Sequence, residues 1–183
     1  FEGGVRRDEL LSNVDLLPTL VELAGHEAPE DLDGRSFLPL LTGGPYAPRD
    51  HIYVEMTWHD KYNPMRGIRT RRYKYIRNFG ERPLVFLPLD IYRGRAGEET
   101  REEFYGSVRA EEELYDLRDD PLEQRNLAGD PSYAQVLQEL RGRVTEWMEE
   151  TNDPLLEGPV PPTPEQEARL ARGEPNDWPR PKS

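Results

Sequence analysis

The stretch HDKYNPMRGIRTRRYKYIRN, from His59 to Asn78, gathers seven cations (Lys61, Arg66, Arg69, Arg71, Arg72, Lys74 and Arg77) against one acid, Asp60. The chain as a whole carries 24 Lys and Arg against 36 Asp and Glu, a net charge of −12, so this stretch is an island of +6 in surroundings of −18. Two of its members are suited to recognition chemistry. The guanidinium of Arg66 is a planar fork that can give two parallel hydrogen bonds to a carboxylate or sulfo group. The other is His59. The two residues bracket DKYNPM, which reads as an irregular segment held out of helix by its proline, at the mouth of a strand where binding residues tend to sit. Arg69, Arg71, Arg72, Lys74 and Arg77 alternate along strand-like sequence and read as the solvated, edge-blunting face of a hairpin.

Interleaved tyrosines and arginines would suit stacked bases, but an acidic chain repels nucleic acid and anionic membranes, so neither is expected as a partner. A small anion is. Other chemistries find no residues to perform them. The 183 residues include no cysteine, which excludes disulfides, zinc-thiolate sites and a thiol nucleophile. His26, His51 and His59 have no metal-ligand spacing, the carboxylates are scattered, and no glycine loop could cradle a phosphate. FEGGVR at the start is too short to be specific.

The elements that must position this stretch follow from pattern. SNVDLLPTLVELAG (12–25) predicts a helix capped by Ser12, Asn13 or Asp15, with Pro18 in its first turn and Gly25 as its stop. Leu16, Leu17, Leu20, Val21 and Ala24 would form its buried stripe. EAPEDLDGRSFLPLLTGGPYAPRD reads as an irregular connection. HIYVEMTW (51–58), MRGIRT, YKYIRN and EELYDL (112–117) read as four strands, with a turn at Arg71 and Arg72, and predict an antiparallel sheet. Residues 80–110 read as a long excursion. DPSYAQVLQELRGRVTEWMEET predicts a helix over 131–150, capped by Asp130, that covers the sheet with Tyr133, Val136, Leu137, Leu140, Val144, Trp147 and Met148.

Only 35% of the chain is hydrophobic and the mean hydropathy is −0.88, so a core requires clustering. The apolar residues do cluster, in 14–41, 52–92 and 114–148. No apolar run approaches the roughly 20 residues of a membrane span, and a soluble chain is expected. From Asn152 onward, prolines mark an extended tail.

Four blocks in order, SNVDLLPTLVELAG, DGRSFLPLL, PMRGIRTRRYKYIRN and ELYDLRDDPLEQRNLAGDP, resemble the C-terminal third of a sulfatase of the alkaline-phosphatase-like superfamily. HDKYNPMR and WMEETNDPLL are similar to the branch of heparan N-sulfatases (N-sulfoglucosamine sulfohydrolases) and their bacterial relatives. The resemblance implies an α/β parent fold, of which residues 1–50 would be the end of the large domain. Residues 51–151 would be a small α+β domain with a four-stranded antiparallel sheet and a packed helix, and 152–183 the tail. It also implies hydrolysis of sulfate esters or N-sulfo groups by a formylglycine nucleophile beside a calcium ion. This chain departs there. It has no cysteine, none of its serines begins S-x-P-x-R, and it has no Asp-Asn pair. The resemblance therefore implies that the formylglycine and calcium come from before Phe1, and that the chain holds no catalytic or metal residue and is inactive alone. What it would supply is a wall of the pocket, with His59 and Arg66 on a sulfated saccharide. The family implies a periplasmic, secreted or lysosome-like compartment. The alternatives are a stand-alone module binding an anionic glycan or nucleic acid, and an inactive remnant of a truncated gene.

Overall fold

A computed structural model describes residues 3–59, 61–80 and 83–171. The chain divides into two compact units, Phe1–Ile52 and Tyr53–Ser183.

In the first unit a 3-10 turn, Asn13–Asp15, leads into helix α1, Leu16–Leu23. Pro18 falls in the first turn of α1, where amides have no internal partner. Gly25 ends the helix in the left-handed region at φ 83°. Asp15 is fully buried and acts as a hub. Its carboxylate accepts the amides of Ser12 (2.8 Å) and Arg35 (3.0 Å) and pairs with the Arg49 guanidinium. Thr19 donates to the Asp15 carbonyl (2.6 Å) and accepts the Phe37 amide (3.0 Å). Gly34 completes the join, because a Cβ there would lie 1.9 Å from the Val14 carbonyl oxygen. The blocks DLLPT and DGRSF are thus two halves of one contact. The segment after it is less irregular than its prolines suggest, since Leu38–Thr42 forms a short helix, α2. The expected stripe of α1 is not buried within this chain. Leu16, Leu17 and Leu20 are 50–59% exposed, and the buried side is Asp15, Pro18 and Thr19.

The second unit is built on a four-stranded antiparallel sheet in the order β1-β2-β3-β4: His51–Trp58, Tyr62–Thr70, Tyr73–Asn78 and Glu112–Asp116. β2 pairs with β3 through Ile68 and Tyr75, and β3 with β4 through Tyr75 and Leu114. This register puts Ile68, Tyr75 and Leu114 on one face. Against them lies helix α5, Ala134–Glu150, with Leu137, Leu140, Val144 and Met148 buried and Tyr133, Val136 and Trp147 at the margin. Asp130 caps its leading 3-10 turn by accepting the Ser132 amide (2.9 Å). Past β4 the chain turns back and closes that edge with a side chain. Asn126 donates to the Glu112 carbonyl (2.9 Å) and accepts the Leu114 amide (3.0 Å), while the Leu127 amide bonds the Leu114 carbonyl (2.8 Å). An amide side chain can stand in for a strand because it carries the same donor and acceptor.

Three expectations are corrected. DKYNPM is not irregular throughout, because β2 begins at Tyr62 and includes Pro64. The carbonyl of Pro64 still accepts the Phe79 amide (3.0 Å), and the β3 pairing proper begins one residue later, at Met65. The excursion 80–110 is largely helical: α3 spans Leu89–Arg93 and α4 Arg95–Gly106. They share a small core of Leu87, Tyr92 and Tyr105, which gives these helices an apolar side to bury. The residues after Asn152 are folded where they are described, with a 3-10 turn at Pro154–Leu156 and a helix, α6, at Pro164–Ala171. The rest of the expected tail lies outside the described residues. No helix among those described is long and apolar enough to cross a membrane.

Candidate functional site

His59 is exposed on the connection between β1 and β2, and its amide bonds the Lys61 carbonyl at 3.2 Å. The flanks of this connection are aromatic. The rings of Trp58 and Tyr62 lie 5.1 Å apart at 45°. The Trp58 indole donates to the Val160 carbonyl (3.2 Å), and the Tyr62 hydroxyl accepts the Val160 amide (3.0 Å).

Arg66 sits differently from the sequence expectation. Its side chain is 3% exposed. Nε and Nη2 donate to the two oxygens of Asp153 at 2.5 and 3.1 Å. Nη1 donates to the carbonyls of Met56 and Met65 (2.9 Å each), and Nη2 also to Thr57 Oγ1 (3.0 Å). Five N–H groups meet five acceptors of this chain, so the fork is not turned toward a ligand. The planar, bidentate geometry read from the sequence is present, with an internal carboxylate in the place assigned to a substrate. Asp153, just after the left-handed Asn152 (φ 51°), also accepts the Leu155 amide at 3.0 Å. Sequence reasoning missed Asp153 as a partner. The Asp-Pro step after a helix signals a cap, but nothing local points to a cation 87 residues away.

Other cations of the island are engaged too, which corrects their reading as a solvated face. Arg72 grips the buried Asp116 (2.8–3.2 Å) and lies 4.8 Å from the Tyr73 ring. This pairing holds the Asp116 carboxyl below the usual carboxylate range. Lys74 bonds Glu123 at 2.6 Å, and Arg77 lies over Phe79 at 4.7 Å. Arg69 and Arg71 are exposed at the turn end. On α5, Arg141 binds both oxygens of Glu112 at 2.6 Å, and Tyr75 donates to the same carboxylate (2.6 Å). The Arg141 bonds above all keep the Glu112 pKa low, whereas burial, reinforced by Glu112, raises that of the Tyr75 phenol.

The C-terminal family of N-sulphoglucosamine sulphohydrolases matches residues 1–87. An ulvan-active sulfatase of Formosa agariphila is 37% identical over 170 residues, covering 87% of this chain and 33% of that protein. The chain belongs to the sulfatase family. Human N-sulphoglucosamine sulphohydrolase is 31% identical over 179 residues, 81% of this chain and 34% of its own length. A solved 2-O GAG sulfatase superposes with a TM-score of 0.61 at 30% identity, over 88% of this chain and 30% of that one. The chain thus spans about a third of the length of these sulfatases, and its fold is that of the C-terminal portion of the alkaline-phosphatase-like superfamily. The residues present do not fit the family's cofactors. Among the described residues no group of three or more His, Cys, Asp or Glu could hold a metal ion, and the chain has no cysteine or S-x-P-x-R to become formylglycine.

Proposed function

We propose that the protein carrying this chain hydrolyses sulfate esters or N-sulfo groups of a glycan, and that this portion borders the saccharide rather than the sulfur. The observation that supports it is a sulfatase-family chain presenting an exposed imidazole, His59, on a connection whose aromatic flanks are both fixed by hydrogen bonds. Relatives named for ulvan, for N-sulphoglucosamine and for the 2-O position of a glycosaminoglycan have a sulfated saccharide in common. His59 donates to a sugar hydroxyl or sulfo oxygen. Arg66 serves that contact through the frame, holding Thr57, Met56 and Asp153 in place around the start of the connection. The nucleophile and the calcium ion belong to the part of the protein that this chain does not cover, and no step of the hydrolysis is carried by its residues.

A stand-alone anion-binding hairpin has less support, because Arg66, Arg72 and Lys74 already hold carboxylates of the same chain. In the intact protein His59→Ala should raise KM for a sulfated oligosaccharide about tenfold, the equivalent of one lost hydrogen bond to a charged group, and leave that for a small aryl sulfate unchanged. Equal changes on both substrates would remove His59 from the saccharide.

A further inference from the structure

Prolines crowd the sequence after α5, yet the segment returns across the sheet to the connection that holds His59. We infer that residues 152–160 form a strap that positions the β1–β2 connection, with Asp153 and Val160 as its two anchors.

At the first anchor, Asn152 takes the left-handed conformation and the Asp153 amide bonds the Met148 carbonyl (2.8 Å), which ends α5. The Asp153 carboxylate then holds Arg66 of β2. Leu155 is buried in the main core, so the strap is also fixed by packing. At the second anchor a single residue makes both bonds: the Val160 carbonyl takes the Trp58 indole N–H and its amide reaches the Tyr62 hydroxyl. Trp58 closes β1 and Tyr62 opens β2, so one residue joins the two ends of the connection.

The composition suits the task. In Pro159-Val160-Pro161-Pro162 only Val160 has an N–H, and that one is directed at Tyr62. Prolines on either side fix φ and push the residue before them toward extended backbone, so little conformational freedom remains to be lost on docking. A flexible linker would have to be ordered each time. The prolines leave this one with less to order.

The importance of the strap for substrate rests on the saccharide reading given above, and the two can fail separately. Tyr62→Phe in the intact protein removes one acceptor and keeps the ring; Trp58→Phe removes the opposite donor. Amide hydrogen exchange at His59 and Lys61 should quicken about fivefold in each variant, the equivalent of one neutral hydrogen bond, while exchange in β3 and β4 stays as it was. KM for a sulfated oligosaccharide should rise by a similar factor with kcat and the aryl sulfate KM unchanged. Unaltered exchange at both residues in both variants overturns the strap, whatever the kinetics. Quickened exchange with an unaltered saccharide KM overturns its positioning role. Should the protein hydrolyse neither substrate, the function reading fails, and the exchange measurement still decides the strap.

Discussion

Replacing Arg66 by Met separates two roles for one guanidinium. The substitution keeps most of the aliphatic stem and removes every charged donor. The Asp153 carboxylate, 3% exposed, would keep the Leu155 amide and lose both guanidinium donors. The carbonyls of Met56 and Met65 and the hydroxyl of Thr57 would each lose a donor as well. Removing one member of a buried ion pair costs about 3–5 kcal/mol, because the other charge stays behind without compensation. For a unit of this size that is a fall of roughly 15 °C in Tm. Solvent gives little relief, since both partners are almost wholly covered.

The assay is urea or thermal unfolding of the intact protein, followed by the fluorescence of Trp58 and Trp147, with Arg66→Met, Asp153→Leu and the double variant compared. Each single change should destabilise by several kcal/mol. The double change should recover more than half of the summed loss, because no lone charge is then buried. The refuting result is specific. An Arg66→Met protein within about 0.5 kcal/mol of wild type, with a saccharide KM raised more than tenfold, would mean that the guanidinium serves the substrate.

Three further outcomes test the frame. Gly34→Ala should destabilise the first unit by about 3 kcal/mol or more, measured by urea denaturation, since the new Cβ would sit 1.9 Å from the Val14 carbonyl and backbone must move. Asn126→Ala leaves the Leu114 amide and Glu112 carbonyl without their strand-like partner and should cost about 2 kcal/mol, seen as faster exchange along β4. Glu112, held low chiefly by Arg141, and Asp116, held low chiefly by Arg72, both favour the folded state when ionised. Their contribution is complete above the ordinary carboxylate pKa of ~4 and is lost as pH falls through their lower folded values. The urea midpoint should therefore drop below about pH 4, and Glu112→Gln should flatten that drop.

What was legible in the sequence was local and periodic. The Ile68–Tyr75 pairing follows from two short strands and a two-residue turn, and α5 follows from apolar residues at helical spacing behind an Asp-Pro start. Helix α4 was hidden because half of its residues are charged, and two of the three core residues that stabilise it, Tyr92 and Leu87, lie outside it. Charge misled in a different way. A run of cations shows how many charges there are, whereas function depends on which of them are still directed outward after folding. Asp116, Glu123 and Asp153 come from three segments 44 to 87 residues away and take Arg72, Lys74 and Arg66 in turn. No periodicity encodes such distances. The acids that surround the basic stretch in the sequence are therefore part of its explanation: the fold brings some of them onto it. Of the two residues the sequence put forward for recognition, the cation is withdrawn into the frame, and the exposed His59 stands on the connection that the frame and its proline strap hold in place.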